Sequence, residues 1–200
     1  NRSRQVTICQ EHVDHKNNTR YIRKLIHAIR KCDYLMPVSQ FLADDYSKVS
    51  PITVKYIPHA VKTPKKCSYK PSKRLISVGR LSKEKGFMDL IKMMKILHQF
   101  DKEFYLDIYG DGEERAALED QIFELDLKSV VRLQGFQPPE IVSKAMSESG
   151  IYIMTSFEES FGLVLIEAMS HGLPVVAFNS ARGAKEIVSQ GGGILISERN

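Results

Sequence analysis

Two carboxylates, Glu159 and Glu167, stand eight positions apart in Glu159-Ser160-Phe161-Gly162-Leu163-Val164-Leu165-Ile166-Glu167, with a short apolar run between them. The run Ile151-Tyr152-Ile153-Met154-Thr155 before them reads as a strand, and Val164-Leu165-Ile166-Glu167-Ala168-Met169 reads as a helix. Ser160 is a fitting N-cap, which predicts a helix whose first open amides lie at Gly162 and Leu163. Open amides at the positive end of a helix dipole favour a phosphate. Glu159 then lies on the loop before that phosphate, and Glu167 about two turns into the helix behind it. Such a pair can hold a sugar hydroxyl on one side of a diphosphate and a ribose on the other. The bland alternative is a solvated loop glutamate and an exposed helix glutamate, because two glutamates at one spacing are common.

A second cluster, Ser77-Val78-Gly79-Arg80-Leu81-Ser82-Lys83-Glu84-Lys85-Gly86, leaves a strand at Gly79 and enters a helix near Gly86. Glycine lets the backbone turn there without a side-chain clash. Arg80 and Lys85 can then face the crevice at the strand ends, where open α/β sheets bind ligands. Arginine clamps phosphate oxygens bidentately and lysine supplies a compact charge; a solvated basic loop is the alternative. Lys83 reads as exposed. Gly110-Asp111-Gly112 follows another strand and reads as a tight turn before a helix near Glu113. It is not a G-x-G-x-x-G fingerprint, so a nicotinamide cofactor has little support. Phe136, in Gly135-Phe136-Gln137-Pro138, packs either against a base or into the core. His12 follows the first strand, where a lone histidine is ordinarily structural or solvated.

The elements that must position these residues alternate along the chain, the pattern of a parallel sheet covered by helices. Candidate strands are 6–9, 34–38, 52–57, 75–78, 104–109, 130–133, 151–154, 174–177 and 193–196. Helical periodicity is clearest in Ile22, Leu25, Ile26 and Ile29, opposite Arg23, Lys24, Arg30 and Lys31. It recurs over 86–100 through Leu90, Ile91, Met94 and Leu97, and more weakly over 115–125, 139–146 and 184–188. The Lys- and Pro-rich stretch 63–71 reads as a linker between 1–62 and 72–200. Three strands and two helices make a poor independent core, so 1–62 reads as the end of a larger domain. The chain opens on Asn1 and stops soon after its last strand, where a further helix would ordinarily cover the sheet.

Charge follows the same division. Residues 1–70 carry 14 Lys and Arg against 5 Asp and Glu, and residues 71–200 carry 15 against 19. The basic segment 20–32 is either a solvated helix face or a contact for an anionic membrane surface or an acidic, lipid-linked acceptor. Nucleic acid is disfavoured, because no aromatic platform accompanies the charge. Three scattered cysteines, with no C-x-x-C pair, argue against a disulfide framework or zinc site and for a reducing cytoplasm. No stretch reaches the roughly 18 to 20 apolar residues that a membrane span requires. There is no D-x-D, no G-x-S-x-G and no G-x-x-x-x-G-K-[ST], so metal-site, hydrolase and P-loop readings fall away.

The run Glu-Ser-Phe-Gly-Leu-Val-Leu-Ile-Glu-Ala-Met, followed by Gly172-Leu173-Pro174-Val175-Val176-Ala177, resembles the E-x7-E region of glycosyltransferase family 4. Gly79-Arg80 and Lys85-Gly86 are similar to that family's G-R and K-G elements, and His12 to its strand-then-histidine element. The resemblance runs across almost the whole chain, including Pro37-Val38-Ser39 and Ile57-Pro58-His59-Ala60. It implies a GT-B fold, with 1–62 as the last part of an N-terminal Rossmann-like domain and 72–200 as most of the donor-binding domain. It further implies a retaining hexosyltransferase that uses a nucleotide-diphosphate sugar, usually without a metal or other cofactor. By the same resemblance Arg80 and Lys85 stabilise the leaving group, Glu159 orients the sugar, and His12 faces the donor sugar from the acceptor side. Gly79, Gly135, Phe136, Phe161, Gly162, Leu163 and Glu167 bind the donor, with the loop at Gly135 presenting main-chain groups to the base. Gly110 and Gly112 lie along the same crevice.

The expected acceptor is a glycan or lipid-linked glycan in cell-surface polysaccharide synthesis, and the expected place is the cytoplasm or the inner face of the membrane. Two departures stand out. Ser160 replaces a frequent glycine, and Ser180-Ala181-Arg182-Gly183-Ala184-Lys185-Glu186 lacks the family's paired glycines, so Gly183 alone would keep the turn before Glu186. The family's glycine-rich acceptor loop lies before Asn1 or is absent, so residues 1–200 alone are expected to be inactive. A nucleotide-sugar-binding module without turnover is the main rival. A GT-B phosphorylase would need a pyridoxal-phosphate lysine, which nothing here supports.

Overall fold

A computed structural model describes residues 5–14, 16, 18–64 and 69–197. His15, Cys67 and the middle of the expected linker, 65–68, lie outside the described residues. The chain divides into two compact units, Asn1–Ala60 with Glu159–Phe161, and Val61–Glu158 with Gly162–Asn200.

The first unit is a parallel sheet in the order β1 (Ile8–Glu11), β2 (Tyr34–Pro37), β3 (Thr53–Val54). Ile8 pairs with Tyr34, and Leu35 with Val54. Helix α1 (Thr19–Ile29) joins the first two strands, and α2 (Gln40–Ser47) joins the next two. Asn18 caps α1, its side-chain oxygen accepting the Tyr21 amide at 3.0 Å. Ile29 of the apolar stripe is buried, while Arg23, Lys24, Arg30 and Lys31 are exposed. Leu35, Val38, Leu42, Ala43 and Tyr46 complete this small core. Strand β1 starts two residues later than the apolar run 6–9 suggests, and only Thr53–Val54 of 52–57 pairs. Helix α2 is unannounced by periodicity, because its buried residues Leu42, Ala43 and Tyr46 fit less than two turns.

The second unit is a six-stranded parallel sheet of β4 (Arg74–Val78), β5 (Tyr105–Tyr109), β6 (Val131–Gly135), β7 (Ile151–Met154), β8 (Val175–Phe178) and β9 (Gly193–Ile196). Their spatial order is β6-β5-β4-β7-β8-β9, so the chain reverses direction across the sheet between β4 and β7. Helices α3 (Phe87–Phe100) and α4 (Arg115–Glu124) pack with Leu75, Leu106, Ile108 and Val131. Helices α5 (Pro139–Glu148), α6 (Leu163–Ser170) and α7 (Arg182–Val188) pack with Ile76, Tyr152, Met154, Val175 and Ala177. Alternate residues of one strand, such as Leu75 and Ile76, therefore enter opposite cores, which is why these strands read as unbroken apolar runs. Gly183 is the second residue of α7 and buried, so the turn expected there is absent.

One buried polar network interrupts this pattern. The Arg74 guanidinium donates to Asp107 at 2.7 Å, to Glu148 at 3.0 Å and to the Tyr109 hydroxyl at 3.1 Å, and Gln134 donates to Asp107 at 2.6 Å. A recess of about 650 Å³ lies elsewhere in the unit, lined by Met93, Ile96 and Phe100 of α3 and by Val176, Phe178 and Ile196. Among the described residues no helix is long and apolar enough to cross a membrane.

Candidate functional site

The loops that leave β4, β5 and β6 are stitched side by side through their backbones. Gly79 N–H donates to Tyr109 O at 2.9 Å, Leu81 N–H to Asp111 O at 3.0 Å, and Gly110 N–H to Gly135 O at 2.9 Å. This contact leaves no room for a side chain, since a Cβ on Gly110 would stand 1.9 Å from the Gly79 oxygen. Gly110 and Asp111 form part of a crevice wall, and the turn expected at Gly110-Asp111-Gly112 falls instead at Glu113-Glu114. The helix after it begins at Arg115 rather than near Glu113.

The crevice measures about 340 Å³, and Gly79, Arg80, Tyr109, Gly110, Phe136 and Gln137 are among the residues lining it. Phe136 is 79% exposed, which removes the core-packing option and leaves its ring face open at the crevice mouth. Gly135 ends β6 with φ +70° beside it. Arg80 also lines the crevice, and its guanidinium donates to Glu113 at 3.2 Å, both side chains being exposed. Lys85 closes a 3-10 turn, Lys83–Lys85, and its stem runs over Gly79; a Cβ on Gly79 would stand 3.8 Å from Lys85 Cδ. Lys83 is exposed.

Across the strand-order reversal, β7 leads to α6. That helix begins at Leu163, and its N-cap is Gly162 in the left-handed region (φ +95°), not Ser160. The left-handed turn delays the start by two residues, and Ser160 Oγ instead accepts the Asp14 amide at 3.3 Å. The first-turn amides lack intrahelical acceptors by geometry, so Leu163 and Val164 carry the anion-attracting end. Glu167 sits at the fifth position of α6 and is half-buried. Burial pushes its carboxyl above the ordinary range, and His171 works in the opposite direction.

His171 is a residue that sequence reasoning passes over. It is buried, with Nδ1 2.8 Å from Glu167 O and Nε2 2.8 Å from Ser143 Oγ of α5. Its four-residue spacing from Glu167 on a helix is the one signal that could have drawn attention to it. Among the described residues no group of three or more His, Cys, Asp or Glu side chains could hold a metal ion.

In the first unit His12 is exposed at the end of β1, on a turn fixed from below. The buried Glu11 carboxylate accepts Val13 N–H and the Tyr21 hydroxyl, each at 2.8 Å, and the Tyr46 hydroxyl donates to Val13 O at 3.0 Å. Burial and the Glu11 contact push the Tyr21 phenol up to about 12, and burial pushes Tyr46 up as well. His59, which sequence reading leaves without a role, has its ring centroid 6.2 Å from that of His12. Glu159–Phe161 group with this unit, where the buried Phe161 ring lies 5.0 Å from His59.

The family model described as Glycosyl transferases group 1 matches residues 61–200. The chain is 32% identical over 177 residues to an uncharacterized glycosyltransferase of Haemophilus influenzae, covering 86% of this chain and 49% of that protein. It is 34% identical over 127 residues to the amylovoran biosynthesis glycosyltransferase AmsD of Erwinia amylovora, covering 64% and 35%. In shape it is similar to a crystal structure of S. aureus TarM in complex with fondaparinux, alpha-GlcNAc-glycerol and UDP. There the TM-score is 0.85 at 22% identity, over 100% of this chain and 42% of that one. The chain spans about half or less of the length of these relatives.

Proposed function

Because this chain belongs to the family of group 1 glycosyl transferases and has the GT-B fold, we propose that it serves a retaining hexosyl transfer from a UDP-sugar to a glycan or lipid-linked acceptor. The observation that carries the reading is the strand-order reversal between β4 and β7 of the second unit, with the crevice at the ends of β4, β5 and β6 beside it. A cationic loop after β4 and the amino end of α6 after β7 flank that reversal, where open α/β sheets hold their ligands.

In this reading the uracil lies against Phe136 and the backbone at Gly135, and Glu167 holds the ribose hydroxyls. Gly79 lets the diphosphate approach closely, while Arg80, Lys85 and the amides at the start of α6 meet its charge. The reaction breaks the bond between the sugar carbon and the phosphate oxygen, whose electron pair stays on the departing diphosphate. The acceptor oxygen forms the new bond to that carbon, and its proton passes to an oxygen of the departing diphosphate. Preorganised donors aimed at the growing charge are the largest expected contribution, each worth about 2.7–4 kcal/mol of barrier. No metal is invoked, because the chain's own cations and amides supply that positive charge. Glu159 orients sugar hydroxyls and His12 serves the acceptor side, roles that come from the family resemblance.

The AmsD relative's name, an amylovoran biosynthesis glycosyltransferase, supports a surface-polysaccharide product, and the cytoplasm is the proposed place of synthesis. The exposed basic face of α1 supports contact with an anionic membrane surface at the inner leaflet. Residues 1–200 by themselves are proposed to bind donor without turning it over, as both halves of a GT-B cleft are needed for transfer.

Thermal stabilisation by UDP, UDP-glucose and UDP-N-acetylglucosamine, with GDP and ADP as comparisons, tests the donor site. A ligand at about 100 times its dissociation constant should add roughly 2.7 kcal/mol, and Glu167→Ala should lose most of it. Equal, negligible shifts across all five ligands would overturn the reading. Binding without transfer by a longer chain that spans the relatives' full length would instead favour the non-catalytic module.

A further inference from the structure

Two consecutive carbonyls in the loop after β4 are held from the loop after β7, across the strand-order reversal. Thr155 Oγ1 donates to Lys85 O at 3.0 Å, and Phe157 N–H donates to Glu84 O at 2.8 Å. The turn itself is closed from the other side, with Lys85 N–H donating to Ser82 O at 3.0 Å and Gly86 N–H to Lys83 O at 3.1 Å. Both peptide planes flanking the Lys85 Cα are thereby fixed, which fixes the direction of its Cα–Cβ bond. The Lys85 stem runs from there over Gly79 to the end of β4. Contact between the two loops is so close that residue 86 has no space for a side chain. A Cβ there would stand 2.3 Å from Thr155 O, and Gly86 takes a left-handed φ of +67°. Thr155 is 6% exposed, so its hydroxyl sits within the protein rather than in bulk water.

We propose that Thr155 is a positioning residue whose hydroxyl, by holding the Lys85 carbonyl, aims the Lys85 ammonium at the diphosphate of the bound nucleotide. The proposal rests on the reading of Lys85 given above. Thr155 touches no substrate. Its contribution goes to the diphosphate and not to the nucleoside, since Phe136 and Glu167 lie on other loops and helices. A residue that merely supports the fold would not make that distinction.

The test compares binding of UDP with binding of uridine, the latter measured by displacement of UDP, for the wild-type chain, Thr155→Val, Thr155→Ser and Lys85→Met. Valine keeps the branched shape and removes the hydroxyl, while serine keeps the hydroxyl. The expected result is that Thr155→Val lowers the UDP-to-uridine affinity ratio about 2- to 10-fold, the worth of one hydrogen bond. Uridine affinity should stay unchanged, and Thr155→Ser should restore the ratio. If Lys85→Met collapses the ratio and Thr155→Val leaves it intact, the inference fails while the reading of Lys85 stands. If Lys85→Met also leaves it intact, the reading of Lys85 fails and takes the inference with it. Equal weakening of UDP and uridine by Thr155→Val would show a general structural role and overturn the inference.

Discussion

At the scale of single residues, Glu167 pits stability against binding. Its carboxyl is half-buried among apolar neighbours of α6, and burial raises its pKa with only partial relief from His171. The folded chain therefore holds this proton more tightly than the unfolded chain does, so folding stability falls as pH rises through the interval between the two values. Glu167→Gln keeps the shape and removes the charge. It should melt higher than wild type at neutral pH, with the gain fading as pH falls toward the ordinary carboxylate value of 4.5. The same variant should bind UDP more weakly. Melting curves across that range check the sign, and a variant that melts lower at neutral pH would contradict it. Glu167, Arg80 and Lys85 are legible in the sequence as candidates because each sits beside a glycine or an apolar run, and Glu159 through its spacing from Glu167. Thr155 and His171 are not, because their partners Lys85 and Ser143 lie 70 and 28 residues away. Nothing local to either residue encodes those distances.

At the scale of elements, the nine strands of the described residues are found close to where alternating apolar runs place them, because strand burial is written in short stretches of sequence. Ends are less legible: Ser160 has the composition of a cap, yet a left-handed turn at Gly162 sets where α6 starts. Strand β5 carries the exception that matters most for stability. In Tyr105-Leu106-Asp107-Ile108-Tyr109 an aspartate occupies a position 1% exposed, paired with Arg74 from β4 and with Gln134 from β6. Removing Asp107 takes away the buried partner of Arg74 and leaves it with the exposed Glu148 carboxylate at 3.0 Å. Asp107→Ala should cost about 3–5 kcal/mol of folding stability, readable from urea unfolding. A replacement of both partners by apolar residues of similar volume should cost much less, and a small loss for Asp107→Ala alone would mean that water reaches Arg74. The network ties the start of β4 to the middle and end of β5 and to β6, and through Tyr109 it reaches the wall of the crevice itself.

At the scale of the whole molecule, charge and function part company. The first 70 residues carry the basic excess, while the candidate donor crevice belongs to the acidic remainder. If Arg80 and Lys85 meet the phosphates as proposed, they do so within an acidic unit, which should make donor binding more dependent on their placement than on bulk charge. The recess beside α3 has a different kind of consequence. Phe100 is 84% exposed there, and Ile96 and Ile196 are exposed beside it. In a test tube this is a patch of stickiness, a place where dyes, detergents and glass are wetted by the protein. An environment-sensitive fluorophore such as anilinonaphthalene sulfonate should light up on the native chain well below its melting temperature. Phe100→Lys should dim that signal without lowering the melting temperature, because the ring has few neighbours to lose. An undimmed signal would locate the oily surface elsewhere. Phe100, at the end of one helix, is then expected to carry a large part of the oily surface on this face of the chain.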